Sequence, residues 1–442
     1  MIRNRFSIFL LCFLLCSACK KSSQVEEPIL NISLTDHFAN DSTAQATLAG
    51  VYTNIMSRPK CFLNGGVTLF AGLSADELWT SNYEANSYED EFFDNDIGTG
   101  NSINSENLWQ TAFRHINQFN YCIEGVKQSG NVSPELKRRI TGEAKFMRAL
   151  CFYYLTNLYG KVPLLISGDY EQIRNLPLSE MDKVYDQIIK DLKAADSLLN
   201  NDVLNIYPSR MPCQALLAQV YLHRNEWKKA ADASSTVIDS GKYKLETDLN
   251  QVFLSQSKET IFQLVPVPGS IQTVEGNIFI PSSKTDKPSY PLHYSIRDGF
   301  EPGDQRKDNW TKPQLYYGFT YHFPYKYKSR SASQPKENNI VLRLAQQYLI
   351  RAEARMKMGD LAGCASDLNT IRNRAGLPSL PLSYTEQQLM NAIEQENKVE
   401  FFAEWGHRWI DLKRWGKIVE VLAPLKGGFD ARAQLYPIPL WY

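Results

Sequence analysis

Residues 133–164 read SPELKRRITGEAKFMRALCFYYLTNLYGKVPL, and the period of that stretch decides the fold class. Ser133 suits a helix N-cap, Pro134 the first turn, where its missing N–H costs nothing, and Glu135 the positive end of the helix dipole. Apolar or small residues recur at Leu136, Ile140, Ala144, Met147, Cys151, Tyr154 and Leu158, in the steps of four and three that share one helical face. Phe146, Leu150 and Tyr153 widen the stripe until the second half is apolar nearly all round, as in a buried helix. Gly160 suits the left-handed position after the last turn, and Pro163 forbids continuation. The spacing predicts one long, central, buried helix in a mainly α chain.

The chain has 442 residues, enough for a large core, and 43% of them are hydrophobic, the proportion of a globular protein. Lysine plus arginine and aspartate plus glutamate number 48 each, so no overall field draws the protein to nucleic acid or to an anionic membrane. Aromatics are in surplus, with 23 Tyr, 21 Phe and 8 Trp; such rings fill cores and equally suit stacking on sugar or peptide ligands.

Within the central stretch, GEAKFMRALCFYYLTNLYGKVPL resembles the signature of the SusD/RagB family of surface nutrient-binding lipoproteins. Gly142, Glu143, Ala144, Phe146, Arg148, Ala149, Tyr153, Tyr154, Leu158, Tyr159, Gly160, Val162 and Pro163 are in place. The resemblance implies a SusD-like α-helical body with tetratricopeptide-like helix pairs and long irregular insertions.

Residues 1–18 have the form of a targeting segment: Arg3 and Arg5, an apolar run over 6–15 that is too short to span a bilayer, and a small Ser17-Ala18 cleavage site. Cys19 follows at once. This resembles a bacterial lipoprotein box, in which the cysteine is lipidated, although Cys16 stands where leucine is usual. Residues 19–35 then form a lipidated tether and 36–442 a single SusD-like domain. Its helical scaffold is expected at about 36–57, 106–242 and 340–423, with ligand-face insertions at about 58–105 and 243–339. Beyond Cys19 five cysteines remain, Cys61, Cys122, Cys151, Cys213 and Cys364; an odd count without metal spacing reads as free buried thiols.

Two stretches read as helical hairpins with alanines at the packing positions of a tetratricopeptide repeat: 213–241, turned at Asn225, and 343–369, turned at Gly359-Asp360. Their separation in sequence predicts a compact body wrapped by insertions, not an open solenoid. Residues 41–56 resemble the family's first helix, and DLNTIRNRAGL (367–377), VEFFAEWGHRWIDLKRW (399–415) and LYPIP (435–439) resemble its closing segments. Asn397 replaces the arginine usual after Glu396, which removes one expected ion pair.

The insertions carry aromatics without core periodicity. GLSADELWTSNYEANSYEDEFF (72–93) holds Trp79 and Tyr83, and the segment after a predicted strand at 260–267 holds Tyr290, Tyr294, Trp310 and Tyr316. The resemblance makes these six the candidate ligand contacts; packing is the alternative for each. In FEPGDQRKDNW (300–310), Asp304 and Arg306 match the family's acid-x-Arg segment and read as an ion pair holding the loop.

Catalysis has little to stand on. His407 lies among Glu404, Arg408 and Asp411, but the four- and three-residue spacings are those of helix-surface ion pairs. No HExxH, GxSxG, P-loop or GxGxxG segment occurs, and the histidines are scattered. No catalytic residue, metal or cofactor is expected. The resemblance implies a lipid-anchored protein on the outer face of the outer membrane. It would bind an oligosaccharide or peptide nutrient and hand it to a SusC-like TonB-dependent outer-membrane transporter. Two other readings stay open: a tetratricopeptide-type protein-interaction scaffold, and a surface glycan hydrolase, since many carboxylates can pair once folded.

Overall fold

The computed structural model of the chain describes residues 34–81, 87–168, 176–201, 204–269, 271–331, 336–427 and 429–440. The expectations for the targeting segment, for Cys19 and for most of the tether therefore fall outside the described residues. The scaffold helices are α1 (Asp41–Met56), α2 (Thr111–Gln128), α3 (Pro134–Tyr159), α4 (Met181–Leu198), α5 (Arg210–His223), α6 (Trp227–Asp239), α7 (Leu344–Lys357), α8 (Leu361–Arg374), α9 (Glu386–Phe401) and α10 (His407–Arg414). Among the described residues, no helix is long and apolar enough to cross a membrane.

α3 is the predicted central helix. The Ser133 hydroxyl accepts from the Leu136 N–H, and Gly160 follows the last turn at φ +77°. From Phe146 to Tyr159 every side chain of α3 is buried, which explains why that half carries no polar stripe. The capping boxes that start α1 (Asn40 with Thr43) and α9 (Thr385 with Gln388) satisfy backbone N–H groups that a first turn leaves open.

α2 packs on α3, α3 on α4, α4 on α5, α5 on α6, α6 on α7 and α7 on α8. The two predicted hairpins, α5–α6 and α7–α8, are thus neighbours in space although the whole second insertion separates them in sequence. The helical stack is continuous, and the insertion leaves it between α6 and α7. α7 serves two cores: Ala345, Leu349, Ala352 and Met356 face a cluster shared with α8 and α9, while Leu344, Ile350 and Ala354 face the main core.

Among the described residues there are three short antiparallel pairs: β1 (Val162–Pro163) with β2 (Leu178–Ser179), β3 (Thr260–Leu264) with β6 (Asn339–Arg343), and β4 (Thr311–Tyr316) with β5 (Phe319–Pro324). The β3–β6 pair ties the neck of the second insertion, with Phe262 opposite Leu342 and Leu264 opposite Asn339. The predicted strand at 260–267 ends at Leu264. All five cysteines expected as free thiols are buried and unbridged.

One close approach gives a direct test of the α1–α2 corner. A Cβ on Gly125 would lie 2.1 Å from the Phe38 ring, itself buried. Gly125→Ala is expected to cost about 1–3 kcal/mol, the usual cost of overpacking, measured as a lower midpoint in urea unfolding. An unchanged midpoint would mean that the 34–40 segment moves aside freely.

Asp304 and Arg306 form the expected ion pair (2.8 Å), but it is one part of a buried network. Arg306 also reaches Glu396 (2.8 Å) and Glu400 (3.0 Å) of α9. Neither expected helix-surface pair forms: the helix breaks between Phe401 and His407, which separates Glu404 from Arg408, and Arg408 turns to Asp76, which leaves Asp411 to Arg414 three residues on. Glu404 pairs instead with Arg343 (2.9 Å) and Lys326, Arg408 with Asp76 (2.8 Å), and Asp411 with Arg414 (2.8 Å). Burial, with Arg343 and Lys326 close by, pushes the His407 imidazole down to about 4 against the opposing pull of Glu404, and its ring packs 4.7 Å from that of Phe401.

Candidate ligand-binding face

Segments far apart in sequence build one layer. Residues 76–81 run on from the helix Gly66–Ser74 and pair with 289–293: the Glu77 carbonyl accepts from the His293 N–H (2.8 Å), the Trp79 N–H donates to the Pro291 carbonyl (3.1 Å) and the Ser81 N–H to that of Ser289 (3.0 Å). The Leu292 N–H then donates to the His322 carbonyl of β5 (2.7 Å), and β5 pairs with β4 through a two-residue turn. That turn is Tyr317-Gly318, with φ +45° and +82°, the positive pair that matches the natural twist of a hairpin. Behind the layer the Glu77 carboxyl is enclosed, and burial pushes it up to about 8.

The layer brings part of the predicted set together. Trp79 is 40% exposed on the first segment and Tyr294 is 51% exposed just after the second, its ring 4.1 Å from that of His293. Tyr316 is half-buried at the end of β4, with Tyr317 edge-on at 4.7 Å and 86% exposed. Tyr83 lies outside the described residues.

Two predicted contacts are corrected. Trp310 is wholly enclosed: its Nε1–H donates to the Leu249 carbonyl (2.9 Å), and Lys326, Arg343 and Arg374 lie 4.9–5.8 Å from its ring. It is a core tryptophan packed under the ion network, with no face left for a ligand. Tyr290 is buried too. Its hydroxyl donates to Glu89 (2.7 Å) and accepts from Lys60 (2.8 Å), so it braces the first insertion against the second.

The β4–β5 tip and the loop 284–287 enclose an open cleft of about 710 Å³, lined by Lys284, Thr285, Asp286, Lys287, Leu315, Tyr316, Tyr317 and Gly318. Lys287 joins the cleft to the Trp79 segment: its ammonium donates to the Ser81 carbonyl and lies 5.3 Å over the Tyr321 ring. Tyr317, Lys284 and Lys287, which line the cleft, were not among the residues the sequence singled out. The available signal was a Tyr-Gly pair between two six-residue β-rich runs, a hairpin pattern masked by Pro313. Chemically the face offers flat apolar rings beside ammonium groups. Among the described residues, no group of three His, Cys, Asp or Glu side chains is placed to hold a metal.

Comparison with known proteins bears on the same segments. A family model described as "SusD family" matches residues 269–436, which hold the hairpin, the ion network and α7–α10. A second, described as "Starch-binding associating with outer membrane", matches residues 36–222, from α1 to α5. The chain belongs to the SusD/RagB family. A relative of this SusD/RagB protein, the SusD-like protein P25 of Formosa agariphila, is 24% identical over 486 aligned positions, covering 94% of this chain and 90% of that one. The crystal structure of a SusD superfamily protein from Bacteroides vulgatus superposes with a TM-score of 0.77 at 21% identity, covering 91% and 96% of the two chains. Surface glycan-binding protein A from Bacteroides fluxus superposes with a TM-score of 0.73 at 22% identity, covering 90% and 95%. These superpositions establish a shared fold, the one expected from the central helix.

Proposed function

We propose that this SusD/RagB protein binds an oligosaccharide nutrient on the layer that carries Trp79, Tyr294 and Tyr316. No bond is broken there, and the sugar passes to a SusC-like TonB-dependent transporter. The observation that carries the reading is the exposure of aromatic rings on one layer built from two insertions, beside an open cleft. Rings of that kind cover the apolar faces of sugars, while neighbouring polar groups meet the hydroxyls. Its support from outside the chain is a fold shared with a surface glycan-binding protein and a family model whose description names starch binding at the outer membrane. Within the same proposal, residues 1–18 are removed on export and Cys19 carries lipid. The tether 19–35 holds the domain 36–442 on the cell exterior.

The test is calorimetric titration of the purified protein with oligosaccharides and short peptides, each sample then analysed for cleavage. Saturable binding of an uncut sugar is expected. Trp79→Ala is expected to weaken it about tenfold, since an aromatic contact contributes roughly 0.5–1.5 kcal/mol beyond burial. Cleaved product would make the protein a hydrolase. Peptide binding alone would move the ligand class, and full affinity in Trp79→Ala would move the site away from this layer.

A further inference from the structure

The charges around the aromatic layer narrow its ligand. Among the described residues, four carboxylates beside the layer already accept from a donor of this chain. Asp90 accepts from the hydroxyls of Thr80 and Ser87, and Glu89 from Lys60 and Tyr290. Asp286 accepts from the Ser282 hydroxyl, and Asp298 from two nitrogens of Arg297. The ammonium groups are less engaged. The side chain of Lys284 has no partner among the described residues, and Lys287 uses one of its three N–H bonds, on the Ser81 carbonyl. Lys312, on the same hairpin, lies 4.1 Å over the Tyr325 ring. Lys307 adds to the positive side, whereas the charge of Arg297 is matched by Asp298; burial first, then these two cations, push the His322 imidazole down against the opposing pull of Asp298.

This local excess is not a property of the whole chain, in which acidic and basic residues number 48 each. Neutral sugars present hydroxyls that donate as readily as they accept, and carboxylate or amide acceptors meet them well. A cleft that sets two ammonium groups, Lys284 and Lys287, against the single carboxylate of Asp286 instead complements a ligand that brings its own anions.

We infer that the oligosaccharide taken by this face is acidic: its uronate or sulfate groups pair with Lys284 and Lys287 at the cleft, while its rings lie on Tyr316, Tyr317 and Trp79. The inference rests on the proposed ligand face and specifies its ligand class.

The experiment titrates the full-length protein with matched pairs of oligosaccharides. The acidic members are oligogalacturonate, oligoalginate and a sulfated carrageenan oligosaccharide; the neutral members are their carboxyl-reduced or desulfated counterparts. An acidic member is expected to bind at least about tenfold more tightly than its neutral partner, and to weaken steeply between about 50 and about 500 mM salt, where screening shortens the reach of exposed charges. Lys284→Gln, at an exposed side chain, should lose about threefold, and Lys284→Gln with Lys287→Gln about tenfold with a flatter salt dependence. Unchanged melting temperatures would show that both variants are folded. Equal binding of neutral and acidic partners, still sensitive to Trp79→Ala, overturns the acidic class and leaves sugar binding standing. Binding by no member of either set overturns both.

Discussion

Glu400→Gln is expected to destabilise the protein by about 3–5 kcal/mol, because it breaks a buried ion network at the one carboxylate that three guanidinium groups share. Glu400 is fully buried and accepts from three arginines: Arg343 (2.6 Å), Arg306 (3.0 Å) and Arg374. Its neighbours repeat the pattern. Glu396 pairs with Arg306 and Arg372 (both 2.8 Å), and Glu259 with Arg343 (2.9 Å) and Arg374 (3.0 Å). Arg306 comes from the second insertion just before β4, Arg343 from β6, Arg372 and Arg374 from α8, and Glu396 and Glu400 from α9. The cluster therefore bolts the base of the β4–β5 hairpin to the scaffold. A stability of roughly 5–15 kcal/mol is typical of a whole domain, so this loss should be plain in thermal or urea unfolding. A loss below about 1 kcal/mol would mean that water enters and solvates the arginines.

The pH dependence of the same substitution follows from the sign of the Glu400 shift. Burial pushes its carboxyl up, but Arg374, Arg343 and Arg306 outweigh burial and hold it well below the ordinary 4.5. A depressed folded-state pKa contributes stability that is fully present above the unfolded value and is lost as pH falls through the folded one. The difference between the wild type and Glu400→Gln should hold steady from neutral pH down to about 5 and shrink only in stronger acid. A difference that shrinks on the alkaline side would contradict this assignment.

What could be read beforehand was what local chemistry encodes. Ser133, Pro134 and Gly160 mark the ends of α3, and the alanines of α5–α8 mark helices that approach closely, because capping and small-residue packing act within a few residues. Asp304–Arg306 was legible for the same reason. Partners set by the fold were not. Arg408 finds Asp76 across 332 positions of sequence, and Glu404 finds Arg343 across 61, so distant partners displace the local pairs that helical spacing proposed. Trp310 sits among charged residues in an irregular stretch and reads as exposed, yet Lys326, Arg343 and Arg374, distant in sequence, fold over it. On the candidate face, Trp79 and Tyr294 were singled out through the family resemblance, whereas Lys284 and Lys287 reach the cleft only because the hairpin tip lies against their loop.

The second large effect is expected inside the helical stack. Arg148 on α3 makes a bidentate pair with Asp191 on α4 (2.8 and 2.7 Å) and donates a third bond to the Asn120 side-chain carbonyl on α2 (2.6 Å). Both members of the ion pair are buried, and one side chain thus joins three consecutive helices. Arg148→Met is expected to cost about 3–5 kcal/mol, since Asp191 would keep only Lys145, at 3.3 Å, as a cationic partner. The double variant Arg148→Met with Asp191→Leu should regain most of that loss, because an apolar pair of similar volume removes the stranded charge and its desolvation. About 1 kcal/mol should remain missing for the unsatisfied Asn120 carbonyl, while its amide still donates to the Leu165 and Ser167 carbonyls. A double variant as unstable as Arg148→Met alone would show that the pair contributes by fixing how α2, α3 and α4 are set against one another. Shape alone could not then replace it. Recovery would mean that the apolar stripes of the three helices already fix that arrangement and that the ion pair is tolerated within it.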